Sequence, residues 1–370
     1  MSEEKGQNRT FHLPEPFDRV IRALLEELGF PVSDPRRLAE AVVRLSDHYH
    51  AHPDAPTPWD EPWAQAASVA YYFPLNFARN QAVALEASRL GFFEGLTKII
   101  DFGSGTGSAL AAFSQTLLKS GRIETACQAY DISPVSLQLG QRLMNLEHYE
   151  TVVVRSAEEM PPDFLRSAGT TLVIASYALT ELEKIPSWWD KAEALAIIEP
   201  STQEDGRRLM QTRADLIEKG YHIWAPCTHH GPCPLLTQSA RDWCHDRVRW
   251  RAPDWFLEME RHLPMKNRTI THSYLLARRS HAPPAVLREL ARLTGDTLVE
   301  KGKTRQSICR GPDREFLAWF PQRFPKGTPD FTLERGRLIR FKSEPVKKSS
   351  ELRIQSPEQI EAIPADHEVR

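Results

Sequence analysis

The stretch KIIDFGSGTGSAL, Lys98 to Leu110, constrains the fold of this chain more than any other. Lys98, Ile99 and Ile100 read as the end of a buried strand, and Asp101 closes it. Gly103, Ser104, Gly105, Thr106 and Gly107 then turn the backbone into the apolar run Ala109 to Phe113, which begins a helix. The glycines have a chemical use. Without Cβ atoms the loop reaches positive φ angles and lets a ligand approach the outward-pointing amides at the start of the helix.

A glycine-rich strand-to-helix turn alone is shared by sites for NAD, FAD and S-adenosylmethionine (SAM). The next strand narrows the choice. Thr125 to Tyr130 ends in Asp131, where a second parallel strand presents a carboxylate to both hydroxyls of a ribose lying over the loop. The spelling is Gly-x-Gly-x-Gly with an acid just before it, and not the Gly-x-Gly-x-x-Gly of dinucleotide binders, which shifts the reading toward SAM. The pattern resembles motifs I and II of class I methyltransferases, in which the loop faces the methionine end of SAM and the second-strand acid holds the ribose. That resemblance implies cofactor contacts from Asp101, Gly103, Ser104, Gly105, Thr106 and Gly107, with Asp131 and Ile132 at the nucleoside.

With 370 residues the chain holds either two domains or one domain with large attachments. Hydrophobic content of 41% against 26% charged residues places it among soluble globular proteins. The formal charge of -2 offers no global basic field for nucleic acid, although a net sum leaves room for a local basic face. The segment MSEEKGQNRT has neither the apolar core of a secretory signal nor an Arg-rich organelle character, and no apolar run approaches membrane-spanning length. A cytoplasmic protein without a membrane partner is expected.

Residues 1–95 read as an α-helical region, with helical spacing at Val20, Leu24, Leu25 and Leu28, and further helices over Ala64 to Tyr72 and Asn76 to Leu90. Histidines 48, 50 and 52 alternate in a polar loop and read as solvated. Residues 96–280 alternate strand and helix, as a doubly wound α/β sheet requires, with a cysteine-rich insert over 225–256. Ser156 and Ala157 follow the third strand where SAM enzymes place an adenine contact, with Glu158 as the nearest acid. The fourth strand runs into Ser176-Tyr177-Ala178-Leu179 in place of the Asn-Pro-Pro-Tyr of base-amino methyltransferases, so no general base is evident. Residues 281–342 read as an extension containing a helix over Pro284 to Leu293 and a small β region, and residues 343–370 as a polar, flexible tail.

The insert APCTHHGPCPLLTQSARDWCHDRVRW spaces Cys227, Cys233 and Cys244 as C-x5-C-x10-C, and Cys309 follows in SICRGPD. Thiols gathered in a Pro/Gly-rich loop do not look like core packing. Thiolates select zinc, Cu(I) or iron–sulfur clusters, and four of them complete either a tetrahedral zinc site or a cubane. The wide, irregular spacing puts an iron–sulfur site first and zinc second, with unligated thiols third. Around zinc, His229, His230 or His245 would replace a cysteine and leave Cys309 a bystander, while Cys127 reads as ordinary packing.

DFGSGTG, YDIS, SYALTEL, IIEPSTQEDG and above all APCTHHGPCPL with DWCH and SYLLARR resemble the Rsm22 family, methyltransferase-like proteins of the small ribosomal subunit. The likeness covers roughly Ala64 to Cys309. It implies a class I SAM-methyltransferase (Rossmann-like) fold, SAM as cofactor, and a [4Fe-4S] cluster on Cys227, Cys233, Cys244 and Cys309. It also implies the small ribosomal subunit and its rRNA as partners. Two further readings stand beside an rRNA methyltransferase: a non-catalytic assembly factor, and a small-molecule methyltransferase with a structural zinc. Arg241, Arg247, Arg249, Arg251, Arg278 and Arg279 are candidate phosphate contacts, and Trp243, Trp250 and Trp255 candidate stacking surfaces. Oligomeric state and acceptor atom are not written in the sequence.

Overall fold

The structure is a computed structural model that describes residues 9–52, 55–119, 125–144, 149–161, 163–182, 184–328 and 331–364. It opens with a short strand, β1 (Thr10–His12), followed by helices α1 (Glu15–Glu27) and α2 (Pro35–Ala51). Asp34 caps α2 by accepting from the Arg37 amide, and Gly29, at φ +76°, ends the run after α1. Helices α3 (Pro62–Ala67) and α4 (Phe73–Arg89) are joined by a widened π turn over Ser68–Tyr72. The two separate helices expected here are thus one continuous run. Pro74 lacks the N–H that a regular turn needs, and the chain accommodates it by widening, with the Phe73 amide reaching Ser68 O.

The first sheet has nine strands. Its parallel centre consists of β2 (Lys98–Phe102), β3 (Ala126–Asp131), β4 (Tyr149–Val153), β5 (Thr171–Ser176) and β6 (Ala194–Glu199). Added to it are β7 (His222–Ala225), β8 (Asp246–Arg251) and β9 (Thr269–Arg278), with β9 antiparallel to β6, β7 and β8. The order β4-β3-β2-β5-β6-β9-β8-β1, with β7 on β9, reverses direction between β2 and β5. Ligands of open α/β sheets bind in the crevice at such a reversal, beyond the carboxyl ends of the strands.

Side-chain alternation divides the core of this sheet between its two faces. Ile99, Leu172 and Ile174 join the cluster that includes α4 and α5 (Ser108–Lys119). Ile100, Val173 and Ala175 join Trp188, Trp189 and Leu209 on the other face. Helix α6 (Pro134–Met144) connects β3 to β4, and Asn145, where the sequence ends this helix, lies outside the described residues. After the short α7 (Phe164–Ser167) comes α8 (Gln203–Glu218), capped by Thr202 accepting from the Asp205 amide. Strands β1 and β8 were not evident in the sequence. β8 is the DRVRWR segment of the insert, and its alternate residues Asp246, Val248 and Trp250 are buried.

The second sheet has eight strands. In chain order they are β10 (Leu290–Leu293), β11 (Leu298–Glu300), β12 (Lys303–Cys309), β13 (Glu315–Trp319), β14 (Leu338–Phe341), β15 (Val346–Lys348), β16 (Glu351–Arg353) and β17 (Ile360–Ala362). The helix expected over Pro284 to Leu293 is a 3-10 turn, Ala285–Glu289, followed by β10. Pairing of β10 with both β12 and β14 buries all four of its residues and overrides local helix propensity. The sequence also gives strand-like character to Asp330 to Phe341; β14 forms the end of that stretch, and Asp330 lies outside the described residues.

The tail expected to be flexible from residue 343 is built into this sheet as far as Ala362. Leu352, Ile354 and Ile360 pack with Leu293, Ile308, Leu317, Trp319 and Ile339. Leu352→Ala should therefore destabilise the protein by about 2–5 kcal/mol in chemical denaturation. Val346→Ala, at a side chain 55% exposed, should change stability by less than about 0.5 kcal/mol. Equal, negligible effects would show that the carboxyl-terminal strands contribute no packing. Among the described residues no helix is long and apolar enough to cross a membrane.

Candidate functional site

The glycine loop crosses the carboxyl end of β2, with Gly103, Gly105 and Gly107 at φ +64°, +51° and +78°. Their surroundings differ. A Cβ at Gly103 would lie 2.9 Å from the Ala178 methyl, and one at Gly107 would run into the end of Met144. At Gly105 nothing lies within 4 Å, so its outer face is open to a ligand. Asp101 sits beneath the loop, 1% exposed, and accepts from Ser104 Oγ at 2.9 Å and the Leu110 amide at 3.2 Å. Ser104 and Thr106 are also buried. Asp101 and Ser104 thus brace the loop from below, and the accessible contacts fall to Gly103, Gly105 and half-buried Asp131.

Burial pushes the Asp101 carboxyl up to about 7, against the Ser104 and Leu110 bonds that pull it down. The folded protein keeps a proton that the unfolded chain releases near 3.8. This group's stabilising contribution is therefore full below pH 3.8 and is lost as pH rises to about 7. Asp101→Asn, which mimics the protonated side chain, should gain stability over the wild type between pH 6 and pH 8 by roughly 1 kcal/mol. Chemical denaturation at the two pH values reads this directly, and an unchanged difference would mean that the carboxyl ionises normally.

Asp131, at the end of β3, accepts from the Gly105 amide at 2.7 Å through Oδ2 and from the Ser133 amide at 2.9 Å through Oδ1. Burial raises its pKa. Ser136 and the Ile132 amide also act on this carboxylate, so its acceptor capacity is shared between the loop and any ribose hydroxyl. Beside it Ile132 is 56% exposed, an apolar face onto which a flat heterocycle fits. Ser156 and Ala157 lie beyond β4, the strand next to β3. Ser156 is exposed, and Ala157 O accepts from Trp188 Nε1 at 3.0 Å. Glu158 is drawn to Ser187, whose Oγ donates to it at 3.2 Å.

At the end of β5, Ser176 Oγ donates to Asn80 Oδ1 of α4 at 3.1 Å. Asn80 is fully buried, with its Nδ2 unpartnered. Tyr177 occupies the left-handed region at φ +62°, a strained position for an aromatic residue, and the Arg79 guanidinium lies 5.7 Å from its ring centroid. Glu199, closing β6, is a residue the sequence reading missed. It is 3% exposed, its Oε1 accepts from the Leu179 amide at 3.1 Å, and Oε2 has no partner among the described residues. Burial lifts its pKa to about 8, so it holds a proton at neutral pH. Like Asp101 and Asp131, it is an acid that closes an apolar strand, a signal already present in IIEPS.

Four cysteines come from the ends of elements in both sheets. Cys227 follows β7, Cys233 lies within the insert, Cys244 precedes β8, and Cys309 ends β12. Burial raises the Cys309 thiol first, and Cys227, Cys244 and Cys233 raise it further as electrostatic neighbours. The Cys244 and Cys233 thiols are likewise raised, first by burial and then by Cys227. Cys309 Sγ is 3.3 Å from His229 Nε2, and Cys309 O accepts from Thr228 Oγ1 at 3.4 Å. Cys127 stands elsewhere, on β3 opposite Ile99, its thiol pushed up to about 12 by burial and then by Asp101. All five cysteines are free thiols. Among the described residues no three His, Cys, Asp or Glu side chains form a group suited to holding a metal ion as they stand.

The three histidines of the insert have different surroundings. His230 Nε2 accepts from the Ile223 amide at 2.9 Å, and His245 pairs with Arg335 and stacks on Trp243. Burial, with Arg213 adding to it, lowers His229 to about 4, so its ring is neutral. Several expected nucleic-acid contacts are internal. Arg278 is 1% exposed and donates to Glu193, Phe92 O and Glu94 O, while Trp250 and Trp255 are core residues. Arg247 binds Asp296 through both terminal nitrogens, and Arg249 pairs with Glu334. Arg241, Arg251 and Arg279 remain exposed, and Trp243 is half-buried, donating to Ser201 O.

Several solved structures resemble the chain at low identity. M. capricolum TrmK, in complex with S-adenosyl-homocysteine, is 10% identical over 53% of this chain and 68% of its own, with a TM-score of 0.31. A SAM-dependent methyltransferase from Thiobacillus denitrificans, also with S-adenosyl-L-homocysteine, is 11% identical over 54% and 91%, with a TM-score of 0.31. A SAM-dependent methyltransferase from Aquifex aeolicus is 16% identical over 40% and 86%, with a TM-score of 0.26. No curated protein matches the chain. The sequence profile described as mitochondrial small ribosomal subunit Rsm22 matches residues 65–317, more than half of the chain, which therefore belongs to the Rsm22 family.

Proposed function

We propose that this protein binds SAM over the β2–α5 loop and acts on the small ribosomal subunit as an rRNA methyltransferase or methyltransferase-like assembly factor. Membership of a family named for that subunit supports the partner. The observation that carries the cofactor is the alignment of open Gly105, the Asp131 carboxylate bonded to it, and exposed Ile132 at a sheet reversal. In methyl transfer the acceptor's lone pair forms the new bond to carbon, the sulfonium–methyl bond breaks, and S-adenosylhomocysteine leaves. A proton lost by the acceptor passes to water. The protein's part is to align donor and acceptor and exclude water.

Non-catalytic assembly is favoured by one feature: the Ser176 hydroxyl at the end of β5 is engaged by buried Asn80. Incubating labelled SAM with small-subunit rRNA separates the two readings. Transfer that stops in an Asp131→Ala variant supports the enzyme. Retained subunit binding without transfer supports the assembly factor, and absence of binding to ribosomal particles rejects both.

We further propose a [4Fe-4S] cluster on Cys227, Cys233, Cys244 and Cys309, with zinc as the alternative. What supports the reading is the chemistry of the donor set, since four cysteines are the ligand complement of a cubane; as they stand, the described side chains do not form a metal-holding group. Zinc–sulfur bonds of about 2.3 Å would require the four sulfurs to close tightly around one ion. A bound cluster would supply a covalent tie between the two sheets. Iron, sulfide and zinc analysis of protein purified without oxygen decides between the two.

A further inference from the structure

Arg278 is buried, and Arg247 and Arg249 are tied to carboxylates, which leaves little of the basic face expected around the insert. The second sheet offers another. Residues 285–362, which contain it, hold 16 lysines and arginines against 11 aspartates and glutamates, a charge of +5 in a chain whose sum is -2. Alternation separates the two faces of this sheet. Leu317 and Trp319 of β13 turn to the apolar core with Leu352 and Ile354, so Phe316 and Ala318 turn the other way. On that side the pairing sets Val346, Arg353, Ala318, Arg305 and Leu298 in one row across β15, β16, β13, β12 and β11. Val346 is 55% and Leu298 48% exposed, so the row lies at the surface.

Two aromatic rings accompany this row, each with two guanidiniums over it. The Cζ atoms of Arg305 and Arg314 both lie 5.0 Å from the Phe316 ring centroid. Those of Arg323 and Arg353 lie 4.5 Å and 5.4 Å from the centroid of half-buried Phe320, the residue after β13. Four like charges gathered over two rings repel one another. Glu300, Asp242 and Glu351 pair with Arg305, Arg314 and Arg353, but exposed Arg323 is bonded to no carboxylate among the described residues. A polyanion relieves that repulsion, and aromatic rings interleaved with guanidiniums take up the flat faces of free bases. Resting on the reading that small-subunit rRNA is the partner, we infer that this face, centred on Phe320 and Arg323, binds single-stranded RNA. Bases stack on Phe320 and the guanidinium planes around it, and phosphates pair with Arg323 and Arg353. A duplex does not fit in this way, because its bases hide their flat faces within the helix.

The test measures, by fluorescence anisotropy over a range of salt, binding of the full chain to an oligouridine of about 12 nucleotides, which forms no internal pairs, and to an RNA duplex of the same length. Wild type should bind the single strand roughly 10-fold tighter than the duplex. Phe320→Ala should weaken the single strand by roughly 10-fold through loss of one stacked base. Arg323→Ala should weaken it too, and lower the slope of log affinity against log salt by about 0.7. Arg261→Ala removes the same charge from an exposed position in the first-sheet part of the chain and should leave that slope unchanged. Because Arg323 is exposed, its variant decides the matter even if Phe320→Ala does not fold. An Arg323→Ala protein that binds as Arg261→Ala does overturns this face as the RNA contact. Equal binding of single strand and duplex by the wild type overturns the stacking on which the inference rests. Wild type that binds ribosomal particles but not the oligonucleotide overturns the inference and leaves the subunit partnership standing, with a protein as the contact. Binding to neither overturns both.

Discussion

A Cys309→Ser protein purified without oxygen is expected to lose most of the iron and sulfide of the proposed cluster, while Cys127→Ser keeps the full amount. The reason lies in the geometry. Cys309 ends β12 in the second sheet, whereas Cys227 and Cys244 flank β7 and β8 of the first. Its thiol is buried and has Cys227, Cys244 and Cys233 as electrostatic neighbours, whereas Cys127 belongs to the core of β3. Losing a direct ligand should weaken retention at least as much as losing a supporting residue does, so tenfold is roughly the floor. Because the proposed centre ties the two sheets together, the variant should also unfold at lower temperature than iron-loaded wild type. Equal iron loss from both variants would mean that the fourth ligand is wrongly assigned. Stoichiometric zinc without iron in the wild type would replace the cluster by a mononuclear site.

The two centres were not equally legible in the sequence. The glycine loop was readable because its signals are local: an apolar strand end, an acid, three glycines and a helix within one short stretch. The cysteine centre was legible only as composition and spacing, since nothing local says that β12 returns to the insert. Sequence periodicity was misread where charge masked it. DRVRWR looked like a basic surface, yet its alternate positions are buried and Arg247 and Arg249 are tied to Asp296 and Glu334. In the tail, β15, β16 and β17 are three residues each, and Leu352 is the sole fully buried position in β16. Strands that short carry almost no pattern of their own, and their pairing partners determine them.

Glu199 shows the opposite failure. Its signal was present, because it closes an apolar strand as Asp101 and Asp131 do. What the sequence does not carry is its environment. Asp101 accepts two hydrogen bonds on one oxygen, Asp131 spreads two over both, and Glu199 is left with an unpartnered Oε2. Three acids near the carboxyl ends of their strands thus take three roles: brace beneath the loop, half-buried acceptor, and buried neutral carboxyl.

Gly105→Val is expected to abolish SAM binding in calorimetry while leaving a folded protein. Valine at φ +51° carries a left-handed strain of about 1–2 kcal/mol, which a chain of this size tolerates. The space within 4 Å of that position is empty, so no clash inside the protein forces unfolding. An isopropyl group there would instead occupy the face on which the ligand is proposed to lie, and would screen the amide that Asp131 orients. Asp131→Ala should weaken SAM by roughly a hundredfold, the loss of about two charge-assisted hydrogen bonds at 1.5–3 kcal/mol each, partly offset by water. Asp131 also holds the Gly105 amide, so a loop effect must be separated from a ribose effect. A dideoxyribose analogue of S-adenosylhomocysteine does this: it lacks the hydroxyls, and wild type and Asp131→Ala should bind it about equally if the carboxylate acts on the ribose. A hundredfold difference for that analogue as well would make Asp131 a loop brace like Asp101. Undiminished SAM binding by Gly105→Val would move the nucleoside site away from this loop altogether.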